Sequence, residues 1–104
     1  MPFESEWRII SSQILAVASV GGAAVSTASL SSETYMVELC APGLSTSSTA
    51  GIKFVIGNIV TADSTSAILP ANWVSRYKCT PGQQVSAISN DAATPTLTIV
   101  QMSK

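Results

Sequence analysis

Thr34-Tyr35-Met36-Val37-Glu38-Leu39-Cys40, followed at once by Ala41-Pro42-Gly43, decides the class of fold. The run is rich in β-branched and aromatic side chains and alternates in character. It sets Tyr35, Val37 and Leu39 on one face, as a half-buried strand does. Proline and glycine then break it where a turn is needed. Outward from this stretch the same pattern recurs. Ile52-Lys53-Phe54-Val55-Ile56 puts Ile52, Phe54 and Ile56 on one face and Lys53 opposite. Trp73 to Cys79 gathers Trp73, Tyr77 and Cys79, with Arg76 and Lys78 on the other side. Gln84 to Ser89 is a further strand. Thr96 to Met102 places Leu97 and Ile99 together, against Thr96, Thr98, Val100 and Met102.

The turns fit this reading. In Thr80-Pro81-Gly82, proline presets φ and glycine supplies the positive φ of a type II turn. Asn90-Asp91 and Thr94-Pro95 bracket the last connection, and the low-complexity run Leu44 to Gly51 reads as a surface loop. The N-terminal third is less decided. Trp7 to Ser19 reads as a long strand, with Trp7, Ile9 and Ser11 on one face and Ile10, Ile14, Ala16 and Ala18 on the other. A helix over Ser11 to Val20 competes, because Ile14, Leu15 and Ala18 also fit a 3.6-residue period. Val20-Gly21-Gly22-Ala23 is a turn and Ala24 to Leu30 a following strand. The expectation is an all-β chain: one β-sandwich or small barrel, jelly-roll or immunoglobulin-like, with about 7–8 short strands. Residues 1–12 form an N-terminal arm or first strand, and residues 13–104 the single sandwich domain.

Composition narrows the function. Only 11% of the 104 residues are charged, five basic and six acidic, against about 25% in ordinary soluble domains. Serine and threonine occupy 27 positions instead. Hydroxyls tolerate being covered by a partner, whereas charges resist desolvation. The composition therefore points to a surface destined to lie against protein. No basic patch argues for nucleic acid. The most apolar stretch, Ile14 to Ala28, is interrupted by Ser19, Gly21, Gly22, Ser26 and Thr27, and falls short of a membrane span. The acidic start, Met1 to Glu6, is unlike a basic secretory leader, so synthesis in the cytoplasm is expected.

Chemistry of the enzymatic kind is not expected. The chain has no histidine, hence no imidazole base or metal ligand. Its acids, Glu4, Glu6, Glu33, Glu38, Asp63 and Asp91, are scattered. Cys40 and Cys79 are too far apart in sequence for a zinc motif, and too few for a disulfide framework. Each ends a β-like run, so they could lie close. Small buried thiols are the preferred reading, with a disulfide as the alternative. We therefore expect no catalytic residue, no cofactor and no metal. Trp7 beside Arg8 has the composition of an interface anchor, although Trp7 capping its own core fits equally. Trp73, inside a strand run, is expected in the core. An exposed aromatic could also stack on a sugar, which leaves glycan recognition as an alternative.

Three segments carry a resemblance. Ala67-Ile68-Leu69-Pro70-Ala71-Asn72 is followed by Thr80-Pro81-Gly82-Gln83-Gln84-Val85-Ser86-Ala87-Ile88-Ser89, and then by Pro95-Thr96-Leu97-Thr98-Ile99. Over residues 50–102 the chain resembles the small β-structured virion proteins of tailed bacteriophages, of the capsid decoration or cement type. The resemblance implies a structural role on the capsid surface of the virion, bridging subunits of the major capsid protein. It also implies a homo-oligomer, trimer or dimer, with no nucleic acid and no membrane as partner. Candidate interface residues are Phe3, Trp7, Arg8 and Ile9. The alternative is a tail, fibre or head-surface module that recognises a host glycan or receptor.

Overall fold

A computed structural model describes residues 7–17, 23–41, 51–63, 65–70, 72–89 and 96–103. Among them are eight strands and no helix. They are β1 (Arg8–Ala16), β2 (Val25–Ser26), β3 (Met36–Cys40), β4 (Gly51–Gly57), β5 (Ala67–Pro70), β6 (Val74–Lys78), β7 (Gln84–Ser89) and β8 (Thr96–Ser103). The pairing follows a simple rule. β1 pairs with β8, β2 with β7, β3 with β6 and β4 with β5, all antiparallel. That is one long hairpin whose two arms are each interrupted by turns. The hairpin is then rolled, so that β3 also meets β8 and β4 also meets β7. The result is two four-stranded sheets, β1-β8-β3-β6 and β2-β7-β4-β5. This order is that of a jelly roll.

The inward faces are those the alternation set apart. Val37 and Leu39 of β3 and Leu97 and Ile99 of β8 are fully buried from the first sheet. Ile52, Leu69, Val85 and Ala87 meet them from the second, with Phe54 beside them. The Phe54 and Tyr77 rings bridge the two sheets, with centroids 5.0 Å apart and planes tilted by 52°, a favourable aromatic geometry. The Thr80 to Gln83 turn forms as expected. The Gln83 amide donates to the Thr80 carbonyl at 3.2 Å, and Gly82 takes φ of 86°, which a type II turn demands at that place.

The structure settles one open alternative and departs from the sequence reading at several points. Ser11 to Ala16 belongs to β1, so the helical alternative fails there; residues 18–20 lie outside the described residues. β1 runs from Arg8 across residues 12 and 13 along β8, so residues 8–12 are the first half of a first strand. A bulge between Ile9 and Ser11 shifts the register, which brings Ile9 and Ile14 onto the same face instead of opposite ones. Ala67 to Pro70, not assigned to any strand from the sequence, is itself one. The run from Ala24 is regular only at Val25–Ser26, because the Thr27 hydroxyl accepts the Val85 amide at 3.1 Å in place of a main-chain carbonyl. Trp73 is not core: it precedes β6 at the rim of the sandwich and is 62% exposed.

The outer face of the second sheet is overlaid by the connection from β4 to β5. The Ala62 amide donates to the buried Ser86 hydroxyl at 2.9 Å, and the Ser26 hydroxyl donates to the Val60 carbonyl at 3.4 Å. The tuck begins at Gly57, where a Cβ would lie 2.5 Å from Val60 Cγ1. On the same strand, Gly51 has φ of 153°, a backbone shape that side chains rarely adopt. A Cβ there would sit 2.7 Å from the Leu69 carbonyl oxygen, and that oxygen belongs to the β5 backbone. Gly51→Ala is expected to cost about 1–3 kcal/mol, read as a lower urea midpoint with an unchanged denaturant slope.

Candidate interaction surface

The register of the first sheet dictates what its outer face carries. Residues directly opposite one another form rows across the four strands. One row is Ile9, Met102, Met36 and Lys78; the next is Ser12, Val100, Glu38 and Arg76; the third is Ile14, Thr98, Cys40 and Val74. These side chains alternate with the inward Val37, Leu39, Leu97 and Ile99, so β geometry turns them outward. The first and third rows are largely apolar. Their ends remain open, with Ile9 70%, Ile14 71% and Val74 55% exposed. The middle row holds an ion pair, Arg76 Nε to Glu38 Oε1 at 3.8 Å. A half-exposed pair of this length contributes little to stability, but its charges partly neutralise each other within the face.

The candidate interface residues gather at one end of this sheet. Arg8 is exposed opposite Ser103, and Ile9 is exposed opposite Met102. Trp7, half-buried, lines a cavity of about 190 Å³ together with Tyr35, Lys78 and Cys79. Phe3 lies outside the described residues. Ile14 and Val74 extend the surface to the far end, and neither was singled out from sequence. The sign was present for Val74, which alternates with Arg76 and Lys78. For Ile14 the bulge hid it.

The cavity has little chemistry to offer. Burial pushes the Cys79 thiol above its ordinary 9.0, so it is a neutral thiol near pH 7, with its S–H donated to the Thr34 carbonyl at 3.7 Å. A protonated, half-buried thiol is a poor nucleophile. Cys79 and Cys40 are both free. Cys79 follows β6 directly and Cys40 ends β3, and those strands are antiparallel, so the two lie at opposite ends of the ladder. The Cys79 amide donates to the Tyr35 carbonyl, whereas Cys40 opposes Val74. Five strand positions separate Tyr35 from Cys40, about 16 Å at the usual rise, well beyond disulfide reach. The expectation that they could be neighbours therefore fails.

Nearby polar groups do structural tasks. Gln101 Oε1 accepts from the buried Thr34 hydroxyl at 2.7 Å and from the Ser31 amide at 3.0 Å. Asp63 closes a turn by accepting from the Thr65 hydroxyl at 2.6 Å and the Thr65 amide at 2.8 Å. The Thr65 hydroxyl, more than any other group, holds the Asp63 carboxyl below its ordinary 3.8. Among the described residues no group of three histidine, cysteine or acidic side chains is placed to hold a metal ion. Among them, too, no helix is long and apolar enough to cross a membrane. What the surface can do is offer apolar area and a neutralised charge pair to a protein face. Compared with known proteins, the chain matches no described family and no curated sequence.

Proposed function

We propose that this chain is a structural protein of a tailed-phage virion, decorating the capsid by laying the outer face of its first sheet on subunits of the major capsid protein. The observation that carries the proposal is that face: Ile9, Ile14 and Val74 stay exposed around one neutralised ion pair, on a jelly roll with 11% charged residues. Jelly rolls recur in viral capsid and lectin domains. Exposed apolar side chains grouped on one face mark contact sites. Trp7, Arg8 and Ile9 supply one edge of the contact, and the work done is stabilisation by buried area, not reaction. The site of action is then the capsid surface, and the chain is a homo-oligomer there.

Co-sedimentation with expanded capsids tests this. Wild-type protein is expected to bind and to raise the heat resistance of the particles. Ile9→Glu and Val74→Glu place a charge at exposed positions, so their own melting curves should hardly move. Their capsid affinity should fall about tenfold or more, since each new carboxylate must be desolvated. Unchanged decoration by both variants would sink the proposal. A second reading, glycan recognition, draws on Trp73, whose 62% exposure leaves its ring open for stacking. In that case Trp73→Ala abolishes binding to glycans or cells and capsid stability does not respond to the protein.

A further inference from the structure

The four edges of the two sheets are not alike. β6 is five residues long and carries Arg76 and Lys78. β5 is four residues long and ends in Pro70. β2 has only two residues. Short length, charge and proline are the usual devices that keep a sheet edge from recruiting another strand. β1 has none of them. It is nine residues long, its only charge is Arg8 at one end, and it contains no proline. Among the described residues it pairs with β8 alone. Its bulge, between Ile9 and Ser11, guards only the first third.

We infer that the Ser12–Ala16 half of β1 is a pairing edge for a second copy of this chain, joined antiparallel about a two-fold axis at Ile14. The strand fits itself in this register. Ile14 meets Ile14 of the second copy, Ser12 meets Ala16, and Gln13 meets Leu15. Both bulges fall outside the ladder. The two Arg8 side chains lie at opposite ends, about 40 Å apart at the usual rise per residue, so like charges never approach. Ile14, 71% exposed in one copy, becomes covered by its equivalent. Leu15, already packed against the core, gains Gln13 of the second copy as a lid. The two first sheets merge into one eight-stranded sheet, an isologous contact that closes at two. The dimer stands on the edge alone and does not depend on capsid binding. If the capsid proposal holds, it doubles the docking face, and two weak contacts become one stronger one.

Light scattering and sedimentation of the full chain over a concentration series test the dimer. Wild type is expected to be a dimer that dissociates on dilution. Ile14→Lys and Ile14→Glu, each placing like charges directly opposite, should each be a folded monomer by circular dichroism and mass, with self-association weakened by at least tenfold. Mixing the two should restore a dimer containing one of each. Ile68→Lys, on the β5 edge, should dimerise as wild type does. A wild type that stays monomeric at every concentration overturns the inference. So does a dimer indifferent to the Ile14 charges, an assembly larger than two, or a mixture that stays monomeric. Protection of the β1 amides from exchange only after capsid is added would assign the edge to a capsid strand and likewise overturn self-pairing.

Discussion

Leu39→Ala is expected to destabilise the fold by about 2–5 kcal/mol, a large share of the about 5–15 kcal/mol that a domain of this kind possesses. Leu39 is fully buried in β3, opposite Ser75 of β6 on one side and Ile99 of β8 on the other. It faces the second sheet across the core. Removing three carbons there forfeits their transfer energy and leaves a void. The void closes poorly, because both neighbouring strands are fixed by ladders and the opposite sheet by its own. Thermal unfolding should show a fall of about 10 °C or more, since each kcal/mol is worth about 4–8 °C in a chain of this size. A change under about 1 kcal/mol would mean that the sheets slide together to fill the space, contrary to the rigid two-layer packing described.

The second large effect is polar. Gln101→Leu keeps the volume of the side chain but removes an acceptor that serves two donors. The Thr34 hydroxyl is fully buried, and the part-buried Ser31 amide opens the turn that leads into β3. Each buried donor left without a partner costs about 1–3 kcal/mol, so a total of about 2–5 kcal/mol is expected. The double variant Thr34→Val with Gln101→Leu separates the causes. It removes one orphaned donor together with its lost acceptor, and should recover about 1 kcal/mol or more of the loss in urea titrations. If it is no more stable than the single variant, the hydroxyl is not the group that suffers.

How far the fold could be read from sequence depends on what the period-two pattern records. Alternation reports which face of a strand meets the core, and it placed Val37, Leu39, Ile52, Phe54, Leu97 and Ile99 inward. The Pro81-Gly82 turn was equally legible, because only glycine takes its φ cheaply. The pattern says nothing of where a strand's end lies relative to the other sheet. Trp73 and Tyr35 have the parity of core residues but sit beyond the sandwich rim, and they are exposed. A bulge is a one-residue event, invisible in composition, yet it moved Ile9 and Ile14 onto a common face and so created the candidate surface. The cysteines show the same limit. Both close β-like runs in the sequence, but only the antiparallel pairing of β3 with β6 sends them apart. Thr34, Ser86 and Gln101 are buried, and nothing local in the sequence signals that a loop or a turn will cover them. Of the candidate interface residues, Trp7, Arg8 and Ile9 do cluster at one end of the first sheet, while Ile14 and Val74 needed the register to be seen.

The pairing of the first strand with the eighth also sets a schedule. β8 lies between β1 and β3 and hydrogen-bonds to both. Neither of those strands can be completed before the last strand of the roll has left the ribosome. Until then β1 waits with both edges unpaired, for a span that covers nearly the whole domain, since Arg8 must find Ser103. Such distant closures make a slow folder, in the range of milliseconds to seconds. They also leave apolar strands open to one another on crowded polysomes. The low charge that suits a covered surface gives the nascent chain little repulsion to draw on in that interval. Within β1 only Ser11-Ser12-Gln13 separate the apolar residues on either side, so this strand is the one most open to wrong pairing in that interval.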